Sequence, residues 1–325
     1  MIAYLIRRIL YSIPILIGVN LITFVLFFKV NTPDDMARLQ LGVKRVTPEA
    51  IAKWKAERGY DKPLLWNAEA AGVQQLADTI FVEKSLAMFR FDFGTSDEGR
   101  EIAHEIYERM WPSLALAVPV FVLGFFVNVC FGLLLAFFRA TYIDVWGTVF
   151  CVVMLSISTM FYIIGGQYLV SKLWHLVPIS GYASGLDATR FLLLPAIVGV
   201  ISGIGGGARV YRSFFLEEIN KDYVRTARAK GLRETVVLFR HVLRNALIPI
   251  LTGVVAAIPS LFLGSLVAES FFGIPGLGSY TIDAINAQDF AIVRSMVFIG
   301  AVMTIVGYLL TDISYSIADP RVRFE

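Results

Sequence analysis

The chain has 325 residues, of which 57% are hydrophobic and only 17% are charged. Soluble domains are about 45–50% apolar and about 25% charged, so this much apolar surface could not be hidden in a water-soluble core. The composition excludes a soluble globular enzyme, a disordered chain and a disulfide scaffold, and the formal net charge of +3 gives no indication of a nucleic-acid partner.

Six stretches of the chain contain no Asp, Glu, Lys, Arg or His, and each is long enough to cross a bilayer as a helix. They are 9–28, 112–138, 145–170, 191–208, 245–268 and 295–311. A membrane-spanning helix needs about 17–25 apolar residues, whereas barrel strands are alternating segments of about ten residues. The sequence therefore predicts an all-α membrane protein with six transmembrane helices.

The first apolar run begins after Arg7 and Arg8 and superficially resembles a signal peptide. It is longer than the 7–15 residues or so of a signal-peptide core, and no small-residue cleavage site follows it. We therefore expect residues 1–28 to form a retained N-terminal transmembrane helix.

Residues 29–111 are predicted to form a small external subdomain between the first two helices. Thr47 and Pro48 are typical of a helix start, and Gly59 is typical of its end. Ile102, Ile106 and Met110 recur at helical spacing, which predicts an amphipathic helix over 100–111 that leads into the second span.

A five-helix membrane core over 112–311 and a tail over 312–325 complete the predicted organisation. With six spans, both termini lie on one side, and that side carries 14 Lys or Arg against 8 Asp or Glu. The short loops opposite, 171–190 and 269–294, carry 3 against 4. The positive-inside rule then places both termini and the loop 209–244 in the cytoplasm.

The chain offers no pattern for catalysis or for a cofactor. It contains no phosphate-binding loop and no Cys or His spacing suited to a metal. The glycines at 203 and 205–207 are interpreted as sites of close helix packing. Since the spans also lack ionisable groups, which ion-coupled transporters usually place near the midplane, energy for any transport must come from elsewhere.

The loop 209–244 carries the most informative pattern. A basic loop would satisfy the positive-inside rule, which explains the excess of Arg but not its arrangement. Asp222 is expected to cap a short helix and Gly231 to end it. Small and apolar residues alternate with the basic residues Arg225, Arg228 and Lys230 along this helix. They are expected to face outward and to dock into another protein, and they are Tyr223, Val224, Ala227 and Ala229.

A second pattern is the glycine-rich and aromatic segment that follows the fifth apolar run. Gly273, Pro275, Gly276 and Gly278 enforce a tight irregular turn. The neighbouring apolar side chains are expected to fold it back among the helices, and they are Phe271, Phe272, Ile274 and Leu277. This predicts a turn that closes the external mouth of a path.

Asp222–Gly231, followed by Arg240–Leu247, closely resembles the coupling-loop motif of ABC importer permeases, in the form found in the dipeptide and oligopeptide branch. Ala227 and Gly231 match the general motif, whereas His241 and Arg244 match the peptide branch. Further segments resemble this branch in the same order along the chain: 4–8, 59–64, 92–96, 111–114, 269–278 and 319–323. The stretch between Pro63 and Asp92 is longer than the branch usually carries, which leaves the structure and role of 64–91 open.

This resemblance implies a type I ABC importer permease fold in a bacterial inner membrane. It implies a second homologous permease subunit, two cytoplasmic ATPase subunits and a periplasmic solute-binding protein as partners. ATP and magnesium would bind to the ATPases, so this chain would hold no cofactor and would not itself be an enzyme. The residues that the resemblance implies in ATPase coupling are Asp222, Tyr223, Arg225, Thr226, Ala227, Ala229 and Gly231. The residues expected to form an external gate, from the composition of the turn itself, are Glu269, Phe271, Phe272, Pro275, Gly276 and Gly278.

Peptides are the expected substrate by resemblance, but nickel, sugars or opine-like solutes remain open, because no residue discriminates among them. Whether the partner permease is a different chain or an identical copy is also open, although the branch implies a different one. A secondary transporter remains the alternative mechanism, and the charge-free spans argue against it.

Overall fold

A computed structural model describes residues 2–42, 46–68, 70, 72, 74–183 and 185–318. The tail motif over 319–323 lies outside these residues. The described part is almost entirely helical, and its one extended pairing is an isolated bridge between Thr95 and Glu101.

The long helices cover the charge-free runs of the sequence, and shorter helices lie between them. In chain order they are α1 (Ile2–Phe24), α2 (Pro33–Leu41), α3 (Pro48–Arg58), α4 (Gln74–Ala77), α5 (Ile102–Phe137), α6 (Tyr142–Ser156), α7 (Thr159–Gly166), α8 (Ala188–Ile219), α9 (Asp222–Ala229), α10 (Glu234–Val236), α11 (Leu243–Ala257), α12 (Leu266–Phe272), α13 (Leu277–Ala287) and α14 (Phe290–Ala318). Short π-helical turns extend α1, α7 and α10, over Val25–Val30, Gln167–Leu173 and Val237–Val242, and another spans Phe81–Ser85. Short 3₁₀ segments cover Leu86–Arg90, Gly185–Asp187 and Ile258–Leu263.

Five of these helical segments are long and apolar enough to cross a membrane: Ile6–Val30, Ile102–Phe137, Ala188–Ile219, Glu234–Leu263 and Phe290–Ser314. A sixth crossing results if the bent pair Tyr142–Ser156 and Thr159–Leu173, whose halves meet at 86°, counts as one span. The all-α membrane fold is confirmed, with the third predicted span broken in its middle.

The break in the third span has a local cause. Ile157 adopts an extended backbone after α6, and the Ser158 side chain accepts a hydrogen bond from the backbone N–H of Met160. Such an N-cap starts a new helix in a new direction. Apolar content predicted the span, but the Ser-Ile-Ser sequence within it carried the signal for the break.

One compact unit contains Met1–Arg109 and Tyr280–Val306. Its α3 has the predicted ends, since Thr47 Oγ1 accepts from the Ala50 N–H and Gly59 takes a left-handed conformation with φ of 67°. Ile51 and Trp54 on α3 pack with Phe24 and Phe28 from the first span. The predicted helix over 100–111 is present as the start of the 36-residue α5.

The other unit contains Met110–Ser279 and, of the described residues that follow, 307–318. In it α8 approaches both α6 and α5 closely. A Cβ on Gly205 would lie 2.5 Å from the Cys151 carbonyl oxygen, and one on Gly207 would lie 2.6 Å from the Asn128 side chain. Gly205 and Gly207 are therefore packing residues, as predicted. A Cβ on Gly206 would make only an ordinary contact of 3.8 Å, and one on Gly203 would meet nothing within 4 Å, so the structure of this chain does not support the packing interpretation for Gly203. Asp144 at the start of α6 also receives two hydrogen bonds of 2.8 Å from Arg212 on α8, a pair that the sequence analysis did not identify.

Candidate coupling surface and external turn

The helix α9 is held between two turns at the end of α8 and the start of α10. Its N-cap is Lys221, and no side chain caps it. The expectation that Asp222 caps α9 was therefore wrong: Asp222 is the first helical residue, where its negative charge still faces the positive end of the helix dipole favourably.

Gly231 ends α9 as predicted, and the hydrogen bonds show how. The Gly231 N–H donates to the Arg228 carbonyl at 2.9 Å, and the Leu232 N–H donates to the Ala227 carbonyl at 3.4 Å. This pair of bonds is a Schellman motif, which requires a left-handed residue after the helix, and Gly231 has φ of +75°. Arg228 closes the same turn with two hydrogen bonds to the Glu234 carboxylate, at 2.6 and 3.2 Å.

The buried side of α9 consists of Val224, fully buried, and Ala227, 5% exposed. The predicted outward orientation of these two residues was wrong. Both pack into an apolar cluster built by helices that lead into the membrane, with Leu133 and Ala136 from α5, Phe215 and Ile219 from α8, and Val237, Leu238, Val242, Ala246 and Ile250 from the segment that ends in α11. A displacement of α9 would therefore push directly on three spans.

Tyr223 ties α9 to α8 at the rim of this cluster. Its hydroxyl donates to the Glu218 carboxylate at 2.5 Å. Burial and this hydrogen bond raise the pKa of Tyr223 to about 12. The hydroxyl therefore stays protonated near neutral pH and keeps its donor role, which anchors α9 rather than presenting Tyr223 to a partner.

The outer side of α9 is polar, small and solvent-exposed. The Asp222 and Arg225 side chains are 96% and 73% exposed, and Thr226, Ala229 and Gly231 are also exposed. We define these five residues as the α9 outer face. Of the seven residues predicted for coupling, these five are exposed on the surface of this chain and are available to a partner protein. The other two, Tyr223 and Ala227, pack against the chain's own helices beneath them.

The turn between α12 and α13, which was predicted to be external and is called the external turn below, is organised by a buried carboxylate. Glu269 is fully buried. Its Oε1 accepts from the Ser265 N–H at 3.0 Å, and its Oε2 accepts from the N–H groups of Gly278 and Ser279 at 2.7 and 3.2 Å. Burial raises the pKa of Glu269, and these donors together with Ser113 oppose that rise. Glu269 was predicted to belong to the turn, but no sequence pattern indicated that its carboxylate would accept hydrogen bonds from several backbone N–H groups.

Two of the turn's glycines are required by close approaches. A Cβ on Gly276 would lie 2.3 Å from Glu269 Oε2 and 2.4 Å from Ser113 Oγ, and one on Gly278 would lie 2.6 Å from the Ser265 backbone. Ser113 itself accepts from the Leu277 N–H at 2.8 Å. The turn is thus fastened to the start of the second span.

The apolar residues of the turn divide between inside and outside. Phe272, Ile274 and Leu277 are buried as predicted, whereas Phe271 is 39% exposed and Pro275 is exposed. The Phe272 carbonyl accepts from the Gly181 N–H at 2.8 Å. Beside Glu269 and Ser113, a mainly apolar cavity of about 320 Å³ lies between α5, α7, α8 and the segment after α11.

Known proteins resemble this chain over its whole length. A family model described as "binding-protein-dependent transport system inner membrane component" matches residues 109–324, and the model of the N-terminal part of such components matches 1–90. The oligopeptide transport system permease protein AppB of Bacillus subtilis is 31% identical, a putative peptide transport system permease protein of Brucella abortus is 33% identical, and the dipeptide transport system permease protein DppB of Escherichia coli is 30% identical. Each comparison covers all of both chains. The chain therefore belongs to the family of inner membrane components of binding-protein-dependent transport systems, and it is a multi-pass membrane permease.

Proposed function

We propose that this chain is one permease subunit of an ATP-driven peptide importer and that α9 receives the force of its ATPases. The observation that carries the proposal is the two-sided construction of α9. Val224 and Ala227 are buried among α5, α8 and the segment leading into α11, whereas the α9 outer face is exposed. One side is thus suited to bind a partner and the other to transmit its movement.

The proposed partners are a second, different permease subunit, two cytoplasmic ATPases and a periplasmic solute-binding protein. Relatives named as oligopeptide and dipeptide permeases support peptides as the substrate. In this proposal both termini and α9 are cytoplasmic, in agreement with the excess of Lys and Arg on that side. ATP and magnesium bind to the ATPase subunits, and the chain itself performs no catalysis.

The external turn is proposed to gate the outer end of the path. Glu269 fastens the turn from inside through three backbone N–H groups, and the apolar cavity of about 320 Å³ lies next to it. A gate of this kind has to be rigid when closed, and a buried carboxylate that accepts several hydrogen bonds supplies that rigidity. The cavity is then a section of the path that substrate enters when the gate opens.

The proposed cycle has two states. When the ATPases close on ATP, they move α9, and the apolar cluster carries this movement into the spans so that the path opens outward. Substrate released by the binding protein enters, and hydrolysis of ATP restores the inward-facing state. Movement of packed helices between two discrete arrangements is a general means of such switching.

Replacing Gly231 with valine tests the assignment of α9. No atom lies within 4 Å of the position of a Cβ on Gly231, so the substitution acts through its φ of +75°, which is strained for a β-branched residue. In liposomes containing the assembled importer, we expect Gly231→Val to abolish peptide uptake and substrate-stimulated ATPase activity while the protein still inserts. Gly185→Val, at a φ of +70° with equally open space, is the matched control, and wild-type stimulation in the Gly231 variant would overturn the assignment.

A further inference from the structure

Among the residues that the structure describes, no carboxylate pairs with the buried cation Arg294, and neither the coupling surface nor the external turn uses it. It lies in the first turns of α14 and is 3% exposed. Its Nε donates to the Phe290 carbonyl at 3.2 Å, and its Nη2 donates to the Tyr60 hydroxyl at 3.4 Å. Its Nη1 is buried and has no hydrogen-bond partner in the described part of the chain.

This arrangement is costly unless something completes it. The guanidinium carbon lies 4.6 Å from the centre of the Phe28 ring, and such a cation–π contact stabilises a cation only modestly. Burial of a charge without a counter-ion costs more than that. An ionisable side chain at the end of a membrane span is therefore a candidate for binding a ligand.

A polar cavity of about 590 Å³ lies beside Arg294. Two further cations line it, Arg58 and Lys84, and three carboxylates do so as well, Glu57, Glu83 and Asp97. Its charge balance depends on which of these groups are already paired.

Each of the three carboxylates that line the cavity lies within ion-pairing distance of a cation other than Arg294. Asp97 pairs with Arg58 at 2.8 Å, and Glu83 pairs with Lys62 at 2.8 Å. Glu57 lies 4.0 Å from the exposed Lys53. Lys84 lies 3.5 Å from Glu83, a carboxylate that it shares with Lys62. Within the described residues, Arg294 is therefore the cation of this cavity that is left without a carboxylate partner.

We propose that this cavity binds an oxyanion, with Arg294 as its inner ligand and Lys84 as its outer one. The planar guanidinium offers parallel N–H donors that suit a carboxylate or phosphate group, and the ammonium group adds a second charge at the cavity wall. The oxyanion can belong to a soluble ion or to an anionic lipid headgroup, since both present the same chemistry at the end of a membrane span. This site is independent of the proposed role of α9.

The test measures amide hydrogen exchange of segments 56–62 and 83–99 in the purified assembled importer, in a phosphate-free detergent at constant ionic strength. Inorganic phosphate, acetate and phosphatidylglycerol are titrated separately. We expect at least one of them to protect these segments saturably, with the midpoint raised at least tenfold in Arg294→Met and about threefold in Lys84→Met. Lys53→Met removes the same charge from a side chain that is 79% exposed and should keep the wild-type midpoint.

The outcomes separate the sources of the anion. Protection by phosphate or acetate assigns a soluble oxyanion, and protection by phosphatidylglycerol alone assigns a lipid headgroup. Hydrogen exchange of segment 222–231 shows whether the Arg294→Met variant keeps its fold away from the cavity. If that variant is misfolded, the proposal is tested by comparing the midpoints of protection in Lys84→Met and Lys53→Met. The proposal is overturned if none of the three probes protects the wild type, or if protection has the same midpoint in the cavity variants as in Lys53→Met.

Discussion

Substitution of Val224 by alanine separates the two proposed tasks of α9, transmission of force and binding of an ATPase. Val224 is fully buried in the apolar cluster beneath α9. Alanine removes two carbon atoms worth about 0.8 kcal/mol each in burial, and the cavity left behind adds to this loss. The docking of α9 is therefore weakened by about 2 kcal/mol, which lowers the ratio of docked to undocked helix by roughly 30-fold.

The expected phenotype of Val224→Ala is uncoupling with the complex intact. Because the α9 outer face is unchanged, the ATPase subunits should still co-purify and hydrolyse ATP, while peptide uptake per ATP falls severalfold. The assay measures uptake and phosphate release together in liposomes that contain the assembled importer.

Val153→Ala, at a side chain in α6 that is 52% exposed, is the matched control for this substitution. Transport per ATP in the Val224 variant equal to that of the control would refute the reasoning, as would loss of the ATPase subunits in step with loss of transport.

The remaining predictions concern the external turn and the pair at the start of α6. Gly276→Ala should abolish transport and lower the thermal stability, because its Cβ would lie 2.3 Å from the Glu269 carboxylate, whereas Gly253→Ala, which meets nothing within 4 Å, should be tolerated in the same assays. Burial raises the pKa of Glu269 above its ordinary value of 4.5. The contribution of its protonation to stability is therefore fully present below pH 4.5 and is lost as the pH rises through the folded-state pKa. Glu269→Gln should lower the melting temperature at every pH and flatten its dependence on pH, and an unchanged slope would contradict this. Arg212→Met should destabilise the protein by about 3 kcal/mol, because it leaves Asp144 without its partner, and Asp144→Leu combined with it should recover most of the loss in detergent unfolding.

Charge patterning predicted the membrane architecture because the bilayer imposes one dominant constraint on sequence. Runs without charged residues have to be helices in lipid, so the spans could be read without knowledge of their packing. The ends of α3 were also predictable, since the Thr47 cap and the Gly59 stop act through atoms only a few residues away.

The orientation of side chains on α9 was not predictable in the same way. In a helix of eight residues, Val224 and Ala227 could face a partner or the chain's own core with equal local plausibility. The tertiary structure decided, because α5, α8 and the segment leading into α11 together present an apolar cluster that these two side chains complete.

Contacts between distant segments were also outside the reach of the sequence. Ser113 accepts from the Leu277 N–H across 164 positions of the chain, and Asp144 binds Arg212 across 68. No local pattern marks such partners. The position of Asp144 at the border of a charge-free run indicated at most that its charge needs a partner, and it did not identify Arg212 as that partner.

Site-directed cross-linking measures whether the α9 outer face contacts an ATPase subunit. After replacement of the free cysteines Cys130 and Cys151, single cysteines are placed at Thr226, on the exposed side of α9, and at Gly185, before the other end of α8. A short thiol-to-amine cross-linker is then applied to the assembled importer. We expect a covalent product of this chain and an ATPase subunit from Thr226→Cys and none from Gly185→Cys. No product from Thr226→Cys, or equal products from both, would contradict the proposed contact.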